Sequence, residues 1–153
     1  MSVIIPDIAS QIESDHVRLH AMMSSIGEFL EQDLDPRHFL RWKVESLFQL
    51  RDFHNQLAKH FDLEELGGFF TEVLRLSPES ANRIKSLMED HSEILAVLER
   101  QIAELRSAES PFPDIQDVLR HDLQTIIQRL RGHEALETEL LYAAHYQVYG
   151  AGD

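Results

Sequence analysis

Two short stretches of this chain decide its fold: HFDLE at residues 60–64 and HEALE at residues 133–137. Each places a histidine four residues before a glutamate. Residues four apart on a helix lie on the same face, one turn above each other. Both pairs fall on the face of their helix that should be apolar. An inward-facing histidine and glutamate are costly to bury without a partner, which a metal ion would supply. The two stretches therefore indicate helices that carry metal ligands, and two such pairs could serve two metal ions.

Length and composition are those of a globular domain. The chain has 153 residues, of which 43% are hydrophobic and 27% are charged, which is enough for one domain with a real core. We therefore predict a single domain over residues 1–153, with a core at about 8–146. The net charge of −13 argues against nucleic acid and anionic membranes as partners, because both favour basic surfaces.

Missing residue types and segments exclude further classes of protein. There are no cysteines, which excludes disulfides, cysteine-bound zinc and thiolate catalysis. The N-terminal residues lack the basic and apolar regions of a signal peptide, and no stretch approaches the ~20 apolar residues that span a membrane. The sequence thus predicts a cytoplasmic protein.

Four segments show the spacing of amphipathic helices, with apolar residues every three or four positions. They run from residue 6 to 33, from 36 to about 66, from 77 to the loop at 107–113, and from 113 to about 146. Gly67 and Gly68 interrupt the second segment, and residues 69–76 form either its continuation or a separate turn. No β pattern occurs. We predict an all-α protein, an up-down-up-down antiparallel four-helix bundle.

An internal repeat places six polar residues in these apolar seams. The first and third helices each carry an Asp-His pair, and the second and fourth carry the two stretches quoted above. The separation between the two histidines is nearly the same in both halves. Alternating helices would bring all six residues to one level near one end of the bundle interior: His16, His60, Glu64, His91, His133 and Glu137.

Four imidazoles and two carboxylates suit a pair of first-row transition metals. Imidazole is a good ligand for iron, zinc, copper and nickel, and carboxylates can bridge two ions. Six ligand residues for two ions leave positions for water or a small ligand. Asp15 and Asp90 point about 100° away from the histidines that follow them, so we expect them to face solvent or to support the ligands.

The order Asp-His, His-x-x-x-Glu, Asp-His, His-x-x-x-Glu on four helices resembles the hemerythrin-like, or HHE cation-binding, domains. The resemblance spans nearly the whole chain. It implies a non-haem di-iron centre, two iron ions with an oxide or hydroxide bridge, although other transition metals also suit such ligands. It further implies two bridging carboxylates and four terminal imidazoles: Glu64 and Glu137, and His16, His60, His91 and His133.

Several functions follow from this resemblance. The first is a di-iron protein that binds or senses O2, or a related small ligand, at the site inside the bundle. The alternatives are a small di-iron oxidoreductase that handles peroxide or nitric oxide, and an iron-sensing or metal-storing module read by a separate protein partner. Whether the protein is an enzyme stays open, and no catalytic residue is assigned.

One departure from the oxygen carriers of this family concerns a fifth histidine. Those carriers have two histidines four residues apart on the third helix, whereas the residue four after His91 is Leu95. His20, four residues after His16, is a candidate for the missing ligand, on the first helix. A site with only four histidines would weaken the case for simple O2 carriage.

Other residues near the six have expected roles as well. His54 should lie at the edge of the second helix, and Glu65, turned about 100° from Glu64, is open to an occasional metal contact. The aromatic residues are predicted to pack in the core, where some would line an apolar pocket that limits water at the site: Phe48, Phe53, Phe61, Phe69, Phe70 and Tyr142.

Overall fold

Four long helices and one short helix lie within the part of the chain that the computed structural model describes. It describes residues 4–112 and 114–145, and the side chains of residues 7–112 and 114–144. Short 3-10 turns at Pro36–His38 and Pro78–Ser80 precede the second and the fourth helix. In chain order the helices are α1 (Ile4–Glu31), α2 (Phe39–Glu65), α3 (Phe69–Leu76), α4 (Ala81–Ser107) and α5 (Ile115–His145).

The long helices confirm the predicted all-α, up-down-up-down four-helix bundle. No strand occurs within the described ranges, and none of the helices described there is both long and apolar enough to cross a membrane. The sequence predicts a third long helix from residue 77, but α4 begins only at Ala81 because a 3-10 turn intervenes. The predicted end of the last helix near residue 146 lies outside the described residues.

Two glycines separate α2 from α3. A Cβ at Gly67 would lie 2.4 Å from the backbone oxygen of Leu63, so a larger residue does not fit there. Gly68 has a φ of 101°, in the left-handed region that favours glycine. The chain therefore turns sharply, and residues 69–76 form a separate helix that packs against α1 and α2.

The apolar interior consists of two clusters with the repeat residues between them. The larger cluster lies among the four long helices, and the smaller lies where α3 covers one end of the bundle. On α1, for example, His16 falls between Ile12 of the smaller cluster and Leu19 of the larger. The polar residues thus form a layer near one end of the bundle, as the repeat predicts.

Two aromatic residues predicted for the core lie on the surface instead. Phe48 is 67% exposed and Tyr142 is 72% exposed. Phe48 is five positions before buried Phe53, which turns it about 140° around the helix. Tyr142 lies between buried Leu140 and Ala144 in sequence and faces the opposite side of α5. The other four aromatic residues are buried as predicted: Phe53, Phe61, Phe69 and Phe70.

Side chains from neighbouring helices bind the carbonyl groups at two helix ends. Lys43 Nζ donates to the backbone oxygens of Arg106 and Ala108, at 2.7 Å each, where α4 ends. Gln116 Nε2 donates to the backbone oxygen of Leu30, at 2.7 Å, near the end of α1. Carbonyls at a helix C-terminus have no partner within the helix. These bonds therefore fix the register of α2 against α4 and of α5 against α1.

Candidate metal centre

All six residues of the repeat come together in the bundle interior. Their ligand atoms form two groups, and within each group these atoms lie within 4.8 Å of one another. We call them the four-donor group and the three-donor group. Glu137 belongs to both, which is where a carboxylate shared by two ions would lie. The four-donor group is Glu64, His91, His133 and Glu137, and the three-donor group is His16, His60 and Glu137.

Glu137 directs one oxygen to each group. Its Oε1 lies 2.6 Å from Nε2 of His133, and its Oε2 lies 3.0 Å from Nε2 of His16. Oε1 of Glu64 lies 3.2 Å from Nε2 of His60 and 3.3 Å from Nε2 of His91, so Glu64 also contacts histidines of both groups. Atoms bound to one zinc-sized ion at about 2.0–2.1 Å can be at most ~4.2 Å apart. These separations satisfy that limit.

Inward-facing atoms of this cluster have no hydrogen-bond partner within the described part of the chain. They are both oxygens of Glu64 and of Glu137, and Nε2 of His16 and of His60. These atoms lie close together without forming hydrogen bonds to one another. One unsatisfied buried polar group costs about 1–3 kcal/mol, and a charged one costs more. A cation bound among these atoms would satisfy them together, so the residues fit a metal centre.

Carboxylates hold the outward nitrogens of two of the imidazoles. Nδ1 of His60 donates to Asp15 at 3.0 Å, and Nδ1 of His91 donates to Glu65 at 3.1 Å. Asp15 is only 4% exposed, and it also accepts a hydrogen bond from Gln11 at 2.8 Å. A metal-binding histidine typically donates its second N–H in this way, which orients the ring. Asp15 therefore supports a histidine of the neighbouring helix and does not face solvent.

The second half of the repeat differs in this respect. Asp90, the counterpart of Asp15, lies 3.9 Å from Nδ1 of His133, which is too far for a hydrogen bond. It pairs instead with Arg129 at 3.5 Å. Sequence reasoning found the six cluster residues but not the contact of Glu65 with His91. The pair of adjacent glutamates at 64 and 65 was the only local sign of it.

His20 and His54 lie outside both groups. Nε2 of His20 is 2.8–2.9 Å from the two carboxylate oxygens of Glu134, and it joins α1 to α5 at the surface. Nε2 of His54 is 3.1 Å from Oε1 of Glu99, at the edge of α2 as expected. The structure thus brings four histidines, not five, into the cluster.

Aromatic rings cover the imidazole of His91. The ring of Phe61 stacks on it with a centroid distance of 3.8 Å and an interplanar angle of 11°. Phe70 is also nearly parallel to it, at 5.8 Å and 18°. These apolar walls exclude water from the four-donor group, which strengthens electrostatic interactions there.

Burial and neighbouring charges determine which groups of the metal-free site hold protons. Burial and the adjacent Glu137 raise the pKa of Glu64 well above its usual value. Burial and the neighbouring His133 lower the pKa of His91 to about 3. Burial would lower the pKa of His16, but the carboxylates of Glu137, Glu134 and Asp15 together outweigh it and raise that pKa. At neutral pH the imidazole of His91 is therefore neutral, whereas Glu64 and His16 hold protons more strongly than usual.

Comparison with known proteins agrees with this geometry. A family model described as the hemerythrin HHE cation binding domain matches residues 7–144. Neither the curated proteins nor the solved structures include a match to the chain. The matched range contains all six residues of the cluster.

Proposed function

Since the chain belongs to the hemerythrin HHE cation-binding domain family, we propose that it is a non-haem di-iron protein that binds or senses O2 or a related small ligand. One observation carries this proposal: two carboxylates and four imidazoles converge, and inward atoms of this cluster have no other partner in the described residues. Imidazole and carboxylate together suit iron. Two iron ions, when bound, would supply the electrons for reversible reaction with such a ligand.

Each ion has its own pair of histidines in this proposal. His16 and His60 would hold one ion, His91 and His133 would hold the other, and Glu64 and Glu137 would contact both. The position of Glu137 supports the assignment, because its two oxygens lie 2.6 Å and 3.0 Å from histidines of different groups.

The small ligand would reach the ions beside His16. The side chain of His16 is 19% exposed, while His60, His91 and His133 are buried. Phe61 and Phe70 cover the four-donor group. The three-donor group therefore offers the more open side.

Anaerobic loading with Fe(II), followed by cycles of air and its removal, tests the proposal. We expect two ions per chain and a visible absorption band that appears with air and disappears when O2 is removed. If two ions bind but their oxidation by air is irreversible, the proposed function changes from O2 binding to redox chemistry. Fewer than two ions per chain would contradict the di-iron assignment.

Two variants make this test specific to the cluster. Glu137→Ala removes the carboxylate common to both groups and is expected to lose both ions together. His20→Ala changes a histidine outside both groups and is expected to keep two ions. Loss of a single ion from Glu137→Ala would contradict the shared role of this carboxylate.

A further inference from the structure

Two consecutive glutamates of α2 contact the two ring nitrogens of His91, which lies on α4. Oε1 of Glu64 lies 3.3 Å from Nε2 without forming a hydrogen bond within the described residues, whereas Oε2 of Glu65 forms a hydrogen bond with Nδ1 at 3.1 Å. An ionised carboxylate can only accept a hydrogen bond. The contact with Glu65 therefore places the ring proton of His91 on Nδ1.

We propose that Glu65 is a positioning residue that fixes this tautomer, so that Nε2 of His91 presents its lone pair to the four-donor group. A neutral imidazole binds a metal only through its unprotonated nitrogen, and the hydrogen bond of the other nitrogen selects which one is free. The consequence for metal binding rests on the proposed function of the cluster. The tautomer of His91 does not depend on that function.

The aromatic neighbours of His91 do not select the tautomer. Phe61 and Phe70 lie nearly parallel to the imidazole, so they fix the plane of the ring. Stacking on the ring faces does not distinguish its two edges, at which the nitrogens lie. Among the described residues, only Glu65 accepts a hydrogen bond from Nδ1. The side chain of Glu65 is 27% exposed and reaches in from the surface of α2.

Two other residues bear on this proposal: Thr138, which matches Glu65 in the other half of the repeat, and His133, which shares the four-donor group with His91. The residue that follows Glu137 is Thr138, whose hydroxyl donates to the backbone oxygen of Glu134 at 3.0 Å. Nδ1 of His133 has no hydrogen-bond partner in the described ranges. Its Nε2 lies 3.0 Å from Nε2 of His91, and since that nitrogen of His91 holds no proton in the proposed tautomer, Nε2 of His133 donates this hydrogen bond. His91 and His133 should therefore be opposite tautomers in the metal-free protein.

Long-range 1H–15N correlation spectra of the metal-free protein, with 15N-labelled histidine, test the proposal. We expect the Nδ1–H form for His91 and the Nε2–H form for His133. Glu65→Ala should populate the Nε2–H form of His91. Glu65→Gln should keep the Nδ1–H form, because its amide oxygen still accepts. Thr138→Ala, the same change in the other half of the repeat, should alter neither tautomer.

Retention of the Nδ1–H form of His91 in Glu65→Ala would overturn the proposal, as would an Nε2–H form in the unmodified protein. Because no metal is present, a failure of the di-iron assignment would leave this result unaffected. Zinc titration then tests the consequence. Glu65→Ala should weaken binding of the ion held by His91 by about 10–100-fold, and Glu65→Gln by less. Unchanged affinity for both zinc ions would overturn the link to metal binding.

Discussion

Replacing Glu64 with glutamine should stabilise the metal-free protein and destabilise the metal-loaded one. Burial and the neighbouring Glu137 raise the pKa of Glu64 well above its usual value. An acid whose pKa is raised by folding destabilises the folded state above its unfolded pKa, and the full penalty is reached above its folded pKa. Glutamine has nearly the same shape and no charge, so it removes this penalty without leaving a cavity.

The size of the effect follows from the partners that Glu64 lacks. Both of its oxygens are buried without a hydrogen bond in the described part of the chain. Holding this carboxyl protonated at neutral pH, or burying it as an unpaired charge, costs free energy that a neutral amide does not, and an unsatisfied buried group is worth about 1–3 kcal/mol. We therefore expect a gain of about 1–3 kcal/mol in the free energy of unfolding of the metal-free protein. For a chain of this length, Tm should rise by about 2–4 °C for each kcal/mol.

Urea unfolding at neutral pH, followed by circular dichroism after chelator treatment, measures this difference. Glu139→Gln is the matched control, because Glu139 is exposed two residues after Glu137 and its change should stay within about 0.5 kcal/mol. With metal added, the unmodified protein should be more stable than Glu64→Gln, since the neutral amide is a poor ligand for the cation. A metal-free Glu64→Gln protein that unfolds more easily than the unmodified one would refute the reasoning.

Three further predictions concern metal binding and the fold. Metal affinity should rise with pH, because Glu64 and His16 have raised pKa values and their protons must leave when a cation binds. Calorimetry in buffers of different ionisation heat should show this proton release, and binding without proton release would contradict the prediction. Asp15→Asn should weaken metal binding by about 10-fold or more, because Asp15 orients His60; competition with a chelator measures this, and unchanged affinity would argue against the role. Gly68→Ala should lower the free energy of unfolding by about 1–2 kcal/mol, since the φ of Gly68 is 101°. Denaturant unfolding measures this change, and an unchanged free energy of unfolding would contradict the prediction.

The bundle and the clustering of the six residues could be predicted because both depend on local periodicity. A histidine such as His16 or His91 interrupts an otherwise apolar seam, and the same interruption recurs in both halves of the chain. Helix alternation then brings these positions to one level. The role of the six residues as metal ligands stays a prediction until metal is bound.

Contacts between helices could not be predicted in the same way. Glu65 reaches His91 only because of the register in which α2 packs against α4, which no spacing within one helix determines. The pairing of His20 with Glu134 has the same origin, since it joins residues of α1 and α5. Phe48 shows a different difficulty: its size favours burial, but its angular position on α2 places it on the surface.

Counting metal ions on the intact chain decides the di-iron proposal. Native mass spectrometry of protein loaded anaerobically with Fe(II) would give this count for each molecule. We expect two ions on the unmodified chain and none on Glu137→Ala, because the two oxygens of Glu137 face histidines of both groups. An unmodified chain that holds one ion, or none, would contradict the proposal.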